Sequence, residues 1–547
     1  MTNSSNPNSR LDLRRAGWQT SWRLFQLTRK ISGKARPQPG VPRVAFFNAS
    51  TRLTGLSLNA AFAYLTACGL QLAGAPVVYF GCHAGMSRCV LGTDRDDHNK
   101  PPPCSSCINQ AEGLFSHSPT YWFKHYQDKD LAHALHNLNL EELCAFEWPI
   151  RFPQGSEETL PLGGLTVPSL RWALRRHRLQ DDEATRFLIR EYQLSAFNVA
   201  NEFAHFLHRL EPESAVIFNG IMYPEAAAKW VAKKIGVRVV THEVGFRPYS
   251  AFFTNGEATA YPITIPEDFE LTPEQNSRLD AYLEQRFQGE FTMAGIRFWP
   301  EMRALDENFS RKASQYQQIV PVFTNVVYDT SQLHANTVFP HMFAWLDLVL
   351  EVIRVHPETL FVIRAHPDEM RPGTGKQSRE SVQDWVTRNQ VESLGNVIFI
   401  QPQKYISSYE LVKKAKFVMV YNSSIGLEST LMGAAVLCGG NARYTQYPMV
   451  YFPDSPDAYR RTAEDFLTSL QVTIPNIYRR NARRFLYYQL FRASLPFDEF
   501  LSEHPRPGFV QLKKFSWRSL STDRSTTMKV LVDGILFGNP FLLDHNQ

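Results

Sequence analysis

Short apolar runs alternate with longer amphipathic stretches along most of this chain. In the C-terminal half the apolar runs predict five strands, at residues 319–323, 360–364, 397–400, 417–421 and 435–438. Four stretches with helical periodicity separate them, at 339–355, 381–388, 408–415 and 427–432. Short apolar strands that alternate with helices are typical of parallel sheets with both faces covered. The pattern therefore predicts an α/β fold.

The N-terminal half shows the same alternation, with strands expected at 43–47, 77–80, 215–218 and 237–241 and helices at about 57–72, 162–210 and 224–234. A chain of 547 residues is longer than one hydrophobic core usually supports, so two or more domains are expected. The predicted units are a basic helix and linker at 1–40, a Rossmann-like domain at 41–260 with a cysteine-rich insertion at 82–107, a connecting region at 261–315, a second Rossmann-like domain at 316–475 and a helical tail at 476–547.

One strand end in the C-terminal half carries two cations. The strand ends on Arg364, and His366 and Pro367 follow directly. Because side chains alternate along a strand, Arg364 and His366 are expected on the same face, where both could meet one phosphate. The alternative is that Arg364 pairs with a nearby carboxylate, either Asp368 or Glu369.

A small polar loop follows the strand predicted at 417–421 and leads into a helix; it contains Asn422, Ser423, Ser424 and Gly426. In such a loop, backbone N–H groups, hydroxyls and the positive end of the helix point to one place, which suits a phosphate. Glu428 falls in the first helical turn, where its carboxylate could accept hydrogen bonds from sugar hydroxyls. Ordinary capping by a serine is the alternative and can coexist with ligand binding. Together the two loops predict a nucleotide-sugar pocket.

Two strand ends in the N-terminal half also carry polar residues: Asn219 and Gly220 after one, and His242, Glu243 and Gly245 after the next. Adjacent residues of a strand point to opposite sides, so only one of His242 and Glu243 is expected in a cleft. We predict that Glu243 is a general base, since a half-buried carboxylate can have its pKa raised enough to take a hydroxyl proton. A structural role in holding the Gly245 loop is the alternative.

These motifs resemble the capsule polysaccharide biosynthesis family, which includes Kdo transferases and is similar at longer range to bacterial polysialyltransferases and teichoic acid polymerases. The resemblance rests on Arg364, His366, Pro367, residues 421–427, Glu428 and Gly433. It implies a GT-B fold, in which two Rossmann-like domains face one cleft. It also implies inverting transfer of a sugar from a nucleotide donor, often a CMP-sugar, without a metal.

In that family a His-Pro motif and a Ser/Thr-rich loop contact the donor nucleotide, and an acidic motif supplies the base. Carried over, these motifs fall on His366 and Pro367, on Ser423 and Ser424, and on Glu243 and Gly245. The chain departs from the Glu-Asp-Gly order of polysialyltransferases because Val244 precedes the glycine, so both His242 and Glu243 stay candidates for the base.

The expected function is therefore an inverting glycosyltransferase of bacterial surface polysaccharide synthesis, with a nucleotide sugar as donor and a glycan or lipid-linked acceptor. The N-terminal Rossmann-like domain would bind the acceptor and the C-terminal one the nucleotide sugar. Because a fold does not fix a function, two alternatives stay open: a nucleotide-sugar epimerase on the same fold, and a non-catalytic protein that binds or assembles polysaccharide.

Charge and targeting patterns bear on the partners. A net charge of +5 is small for this length and gives no reason to expect nucleic acid. Basic residues interrupt the N-terminus, which argues against a secretory signal and for a cytoplasmic location. Residues 1–36 hold eight basic residues, and Trp18, Trp22 and Phe25 recur at helical spacing. Such a helix could lie on an anionic inner membrane face, or it could pack on the body of the protein.

Four of the seven cysteines fall within 26 residues, at Cys82, Cys89, Cys104 and Cys107. The final pair is spaced Cys-x2-Cys, which offers two thiolates from one turn, so a structural zinc site is predicted, while catalysis is expected to need no cofactor. His83 or His98 could replace one sulfur. Free buried thiols and an iron–sulfur cluster are the alternatives, and a disulfide fits a reducing cytoplasm less well.

Overall fold

The computed structural model describes residues 7–49, 55–289, 292–293, 296–297, 303–370, 377–506 and 508–544. In this part of the chain twelve strands form two large sheets. In chain order they are β1 Val44–Asn48, β2 Val77–Cys82, β3 Thr120–Phe123, β4 Ser214–Phe218, β5 Arg238–Val244, β6 Ser250–Thr254, β7 Gln318–Phe323, β8 Thr359–Arg364, β9 Val397–Ile400, β10 Val418–Val420, β11 Val436–Cys438 and β12 Leu495–Pro496.

The first sheet has the strand order β12-β6-β5-β4-β1-β2-β3, and the second has the order β9-β8-β7-β10-β11. The second sheet is parallel throughout, whereas at one edge of the first sheet β6 pairs antiparallel with both of its neighbours, β5 and β12. The five parallel strands of each sheet therefore share one order, that of doubly wound nucleotide-binding folds. The predicted α/β class and its parallel sheets are confirmed.

Helices cover both faces of the two sheets. The α-helices span Pro7–Lys34, Leu58–Leu72, Cys104–Phe115, Lys129–Leu135, Leu140–Ala145, Leu162–Leu174, Glu183–Leu210, Tyr223–Ile235, Pro273–Phe287, Glu307–Ala313, Gln332–Ala335, Met342–Val355, Val382–Arg388, Ser408–Lys413, Ile425–Leu431, Pro456–Thr468, Asn476–Tyr487 and Thr526–Phe537. A π-helical turn, Tyr488–Arg492, follows the last but one. Small antiparallel pairs join Trp148–Arg151 to Glu157–Leu160, Thr292–Met293 to Ile296–Arg297 and Leu501–Glu503 to Val510–Leu512.

Alternation along the strands places each sheet between two apolar layers. In β1, Val44 and Phe46 pack in one hydrophobic cluster, whereas Ala45 and Phe47 pack in another on the opposite face. In β8, successive residues likewise divide between two clusters. This two-sided burial explains why the strands read as continuous apolar runs in the sequence.

The region predicted as helical at 162–210 consists of two helices. The first ends at Leu174, and Arg175 follows in the left-handed region with φ +58°. The second begins at Glu183, after Asp182 accepts a hydrogen bond from the Thr185 amide and so caps it. The unit predicted at 41–260 also contains a strand near its end that the sequence pattern did not indicate, β6, and this strand belongs to the first sheet.

The C-terminal segment returns to the first sheet. Strand β12 pairs with β6, and the helix Thr526–Phe537 packs against the helix Leu58–Leu72 and β4. Two side chains fasten that helix: Ser214 Oγ donates to the Ile535 carbonyl (3.1 Å), and Arg238 Nη1 donates to the Gly534 carbonyl (3.0 Å). Residues of the tail predicted at 476–547 therefore complete the core of the first sheet.

The N-terminal helix Pro7–Lys34 packs on the body with one side and faces solvent with the other. Leu27 and Ile31 are buried in the core. The side chains of Trp18, Trp22 and Phe25 are 70%, 50% and 58% exposed and stack on one another. Among the described helices, none combines the length and the apolar character needed to span a membrane.

Candidate functional site

A cavity of about 560 Å³ lies where the C-terminal ends of strands from both sheets meet. Residues at or just after the C-terminal ends of β5, β7, β8 and β10 line it, together with residues from the segments 259–262 and 441–446. The second sheet reverses its strand order between β7 and β10. In open α/β sheets, ligands bind outside the carboxyl ends of the strands at such a reversal. The cavity thus occupies the position at which this topology predicts a ligand.

The two cations expected after β8 both line the cavity. Arg364 is 2% exposed; its Nη1 donates to the Lys404 carbonyl (3.0 Å) and its Nε to Ser408 Oγ (3.3 Å), and burial lowers its pKa to about 10. His366 accepts a hydrogen bond at Nδ1 from the Asp368 amide (3.1 Å). The proton of the neutral His366 ring is therefore on Nε2, which makes that nitrogen a donor.

The loop after β10 brings Asn422, Ser423 and Ser424 to the cavity wall. Asn325 Nδ2 donates to Asn422 Oδ1 (2.6 Å), which ties this loop to the one that follows β7. Gly426 does not line the cavity. A Cβ atom built there would stand 2.2 Å from Tyr444 Oη, so the glycine allows close packing beneath the loop.

The carboxylate of Glu428 lies in the cavity wall and is already engaged by protein groups. Arg286 Nη2 stands 2.5 Å from Oε1, and Tyr409 Oη donates to Oε2 (2.6 Å). The side chains of Arg286 and Glu428 are both nearly buried. Both carboxylate oxygens therefore serve a buried ion-pair network that fastens the helix Pro273–Phe287 to the helices Ile425–Leu431 and Ser408–Lys413.

His242 and Glu243, near the end of β5, separate as alternation predicts. Glu243 lines the cavity, whereas His242 is 1% exposed on the other side of β5, where its ring stacks on Phe253. Burial lowers the pKa of His242 to about 3, so this ring is neutral at physiological pH. Of the two candidates for the base, Glu243 is the one that reaches the cavity.

Both oxygens of Glu243 have partners. Asn219 Nδ2 donates to Oε2 (2.7 Å), and the Val244 amide donates to Oε1 (2.8 Å). Burial raises the pKa of Glu243 above its ordinary value; these two hydrogen bonds oppose the rise, and the charge of Asp329 adds to it. The arrangement produces a fixed carboxylate that holds a proton more readily than a solvated glutamate.

The remaining candidates from the N-terminal half do not line the cavity. Asn219, at φ +60°, and Gly220, at φ +77°, form a tight turn behind Glu243. Gly245 packs against Ser250, where a Cβ atom would stand 2.3 Å from Oγ. These residues support the Glu243 carboxylate and its loop rather than contact the cavity.

Arg443 is a cavity residue that the sequence patterns did not indicate. Its guanidinium packs against the rings of Phe246 and Tyr261, 4.5 and 4.6 Å from their centroids, and these two rings also contact each other edge to face. Nη1 is buried and has no hydrogen-bond partner among the described residues. An arginine held against two aromatic rings with an unused N–H group is a preformed donor for an anion.

The loop after β7 was also missed, although the strand itself was predicted. Asp329, Thr330, Ser331 and His334 from this segment line the cavity, and His334 Nε2 lies 2.7 Å from Thr259 Oγ1. The position of β7 in the sheet could have pointed to these residues. Because β7 lies at the centre of the second sheet, polar residues after it were certain to reach the same edge as those after β8 and β10.

The four clustered cysteines lie apart from this cavity and line a second, smaller one: Cys82, Cys89, Cys104 and Cys107. Neither His83 nor His98 lines it. Within the described ranges, no group of three or more histidine, cysteine, aspartate or glutamate side chains is arranged to hold a metal ion. The predicted zinc site therefore finds no support in the arrangement of these side chains.

Comparison with known protein families matches residues 292–449 to the family described as capsule polysaccharide biosynthesis protein. The predicted resemblance to this family is confirmed over that segment. The capsule polysaccharide biosynthesis segment contains β7, β8 and β10 and all cavity residues from Phe323 to Gln446. Glu243 lies outside it. No curated protein sequence matches the chain.

Several solved structures share part of the fold at low similarity. Two are KpsC proteins of Thermosulfurimonas dismutans, a beta Kdo 2,4 transferase (12% identity, 55% of this chain and 84% of that chain, TM-score 0.34) and a beta Kdo 2,7 transferase (15%, 57% and 85%, TM-score 0.33). A third is the UDP-GlcNAc 2-epimerase of Neisseria meningitidis bound to UDP-GlcNAc (14%, 81% and 98%, TM-score 0.26). Similarity at this level carries no argument about activity.

Proposed function

We propose that this protein is an inverting glycosyltransferase of surface polysaccharide synthesis. It transfers a sugar from a nucleotide donor to a glycan or glycolipid acceptor. The observation that carries the proposal is the composition of one cavity: cations, hydroxyls and amides from the second sheet face a fixed carboxylate from the first. The match of residues 292–449 to the capsule polysaccharide biosynthesis family supports it.

In the proposed complex the second sheet holds the nucleotide. His366 Nε2–H, Arg364 and the hydroxyls of Ser423 and Ser424 surround the donor phosphate, and Arg443 supplies a further cation. When the bond between the sugar and the phosphate breaks, negative charge grows on the leaving phosphate. Fixed donors aimed at that charge stabilise the transition state more than the ground state.

The first sheet supplies the base. The Glu243 carboxylate takes the proton of an acceptor hydroxyl. At the same time the oxygen of that hydroxyl attacks the anomeric carbon of the donor sugar from the side opposite the leaving phosphate. One C–O bond forms, one C–O bond breaks, and the configuration inverts. A carboxylate with a raised pKa suits this step because its proton affinity is closer to that needed for general-base catalysis near neutral pH.

The donor is tested first by binding. The family resemblance implies a CMP-sugar, so thermal melting is measured with CMP-, CDP-, UDP- and GDP-sugars and with each free nucleotide. A sugar nucleotide at a hundred times its Kd adds about 2.7 kcal/mol to the free energy of unfolding. We expect one nucleotide class to raise the melting temperature in this way. A folded protein that none of these ligands stabilises would remove the nucleotide-sugar pocket from the account.

We also propose that the N-terminal helix contacts an anionic membrane surface, where a lipid-linked acceptor would lie. Exposed Trp18, Trp22 and Phe25 provide the apolar contact, and basic residues of the same helix provide the electrostatic attraction. The full chain should float with vesicles that contain anionic lipid, and Trp18→Ser with Trp22→Ser should weaken flotation. Equal flotation of the two proteins would contradict this proposal.

A further inference from the structure

The turn after β4 places one asparagine side chain against the Glu243 carboxylate. Asn219 has φ +60°, and Gly220 follows with φ +77°. Few residues other than glycine enter the left-handed region readily, and asparagine and aspartate are among them. The Asn219 backbone N–H also donates to the His242 carbonyl (2.9 Å), which joins the turn to β5. The backbone of this turn therefore restricts position 219 to a few residue types.

Hydrogen bonds fix which way the side-chain amide of Asn219 faces. The Ile221 backbone N–H donates to Oδ1 (3.1 Å), and a backbone N–H can only donate, so the atom that it meets is the side-chain oxygen. The NH2 group therefore faces the other way, where Nδ2 lies 2.7 Å from Glu243 Oε2. Asn219 is 4% exposed, so the contact is shielded from water, which strengthens it.

This donor opposes protonation of Glu243. The NH2 group stabilises a carboxylate oxygen, but it cannot accept a hydrogen bond from a protonated carboxyl. The Val244 amide donates to the other oxygen (2.8 Å), so each oxygen has one fixed donor and keeps a second lone-pair site. Burial raises the pKa of Glu243, and these two hydrogen bonds limit the rise. The carboxylate thus remains a proton acceptor in spite of its burial.

The other charged or titratable groups near this turn and the carboxylate come from other segments or from the far side of β5: Asp329, Arg443, Tyr261, Lys229 and His242. Lys229 is paired with Glu257 (2.5 Å), and His242 is neutral because burial lowers its pKa to about 3. Among the described side chains, Asn219 is the one that donates a hydrogen bond to Glu243. Its amide is therefore the group whose replacement alters Glu243 most directly.

We propose that Asn219 is a positioning residue that keeps the Glu243 carboxylate ionised and directed into the cavity. Asn219 does not line the cavity, so it acts on the acceptor through Glu243. The inference rests on the proposed function, in which this carboxylate takes the acceptor proton. It adds that a side chain behind the base sets the pH range over which transfer occurs.

Asn219→Asp tests the proposal because it replaces one NH2 group by an oxygen and preserves the rest of the turn. Aspartate tolerates the left-handed backbone and can accept the Ile221 N–H. It also places two carboxyl groups at hydrogen-bond distance, and such a pair retains a proton. The acid limb of the rate of transfer should therefore move to higher pH by about one pH unit or more. An acid limb at the wild-type pH would overturn the proposal.

The control for this profile is Asn139→Asp, at the exposed N-cap of the helix Leu140–Ala145, where aspartate caps as well as asparagine. This variant should keep the wild-type pH profile. An equal shift in both variants would show that the effect does not arise at the Glu243 contact and would overturn the proposal.

Thermal melting tests the same contact without measuring transfer. The folded Asn219→Asp variant retains a proton that the unfolded chain releases, so its melting temperature relative to wild type should fall as pH rises from 5 to 8. In Glu243→Gln, one N–H donor of the pair loses its acceptor, so this variant should also melt below wild type. The double variant Asn219→Asp/Glu243→Gln exchanges carboxylate and amide and restores every hydrogen bond of the pair.

The double variant should therefore melt above both single variants at pH 8, although its carboxylate lies behind the cavity and it should transfer no sugar. If Asn219→Asp does not fold at pH 8, folding at pH 5 or in the double variant supports the proposal. A double variant no more stable than either single variant would overturn it. If the wild type transfers no sugar, the proposed function fails, and the melting series still decides whether Asn219 keeps Glu243 ionised.

Discussion

The two large sheets share one order of parallel strands but present different chemistry at their C-terminal ends. In the second sheet, the loops after β7, β8 and β10 all turn into the cavity and bring cations, amides and hydroxyls. In the first sheet, β5 delivers Glu243, the turn after β4 supports that carboxylate, and β2 ends on Cys82 in a separate cavity. The strand order thus determines where a ligand can bind, and the residues just after each strand determine what chemistry occurs there.

The largest effect is expected from replacing Glu243, the carboxylate that the first sheet contributes to the cavity. Glu243→Gln keeps the shape and most hydrogen bonds but cannot accept a proton, so transfer should fall about 10²- to 10⁴-fold while the donor still binds. The wild-type rate should fall as pH drops through the raised pKa of Glu243, because the protonated carboxyl is no longer a base. Initial rates from pH 4 to 8 and donor titrations measure both.

A variant that weakened donor binding but kept the rate of transfer would make Glu243 a binding group. Glu257→Gln is the matched control, because Glu257 forms its ion pairs outside the cavity, with Lys229 and Lys233.

A second glutamate in the cavity wall should behave differently, although the sequence alone suggested that it binds sugar hydroxyls. Glu428→Gln removes the charge that neutralises Arg286 in a nearly buried pair, so the free energy of unfolding should fall by on the order of 3 kcal/mol. Urea denaturation measures the loss. Wild-type stability together with weakened binding of the sugar donor would favour the role expected from the sequence.

At the end of the second sheet, His366→Ala tests the group of side chains proposed to surround the donor phosphate. Removing one hydrogen-bond donor at a site of developing negative charge should lower kcat about 100-fold. The melting curve should change little because the His366 ring lies at the cavity wall. His208→Ala, on an exposed helix surface, is the control. Full activity of His366→Ala would refute its assignment to the donor phosphate.

Arg443 should give the smallest effect of this series. Arg443→Lys keeps a positive charge but loses the planar group that packs against Phe246 and Tyr261 and the buried N–H that has no partner among the described residues. Loss of one hydrogen bond to a charged group should raise the KM for donor about 10-fold. Arg460→Lys, at an exposed ion pair, provides the comparison. Unchanged KM in Arg443→Lys would place the ligand elsewhere in the cavity.

The sequence predicted most of the parallel strands, because strands that are buried on both faces consist of continuous runs of apolar residues. It did not predict β3, whose residues Thr120–Phe123 mix polar and aromatic types, or β6, whose residues Ser250–Thr254 sit inside a polar region. It also gave no sign that the C-terminal helix Thr526–Phe537 returns to the first sheet. Contacts between segments so distant along the chain leave no local periodicity to read.

For the cavity, residues directly after a strand were predictable, since the end of a parallel strand fixes where the next side chain lies. Arg443 and Arg286 were not, because they reach the cavity from a loop and a helix whose positions depend on packing. For Glu428 the position was predictable but the role was not. Its place beside the cavity followed from the motif, but its partners Arg286 and Tyr409 were visible only in the structure.

The most direct test of the account measures nucleotide release from the donor that binds, with and without an oligosaccharide or lipid-linked acceptor, and the anomeric configuration of the product by NMR. The account predicts release that depends on acceptor, a product of inverted configuration, and near-complete loss of transfer in Glu243→Gln. Conversion of the donor to an isomeric sugar nucleotide without acceptor would identify an epimerase instead. A donor that binds but never turns over with any acceptor would leave a non-catalytic binding protein and contradict the proposed transfer.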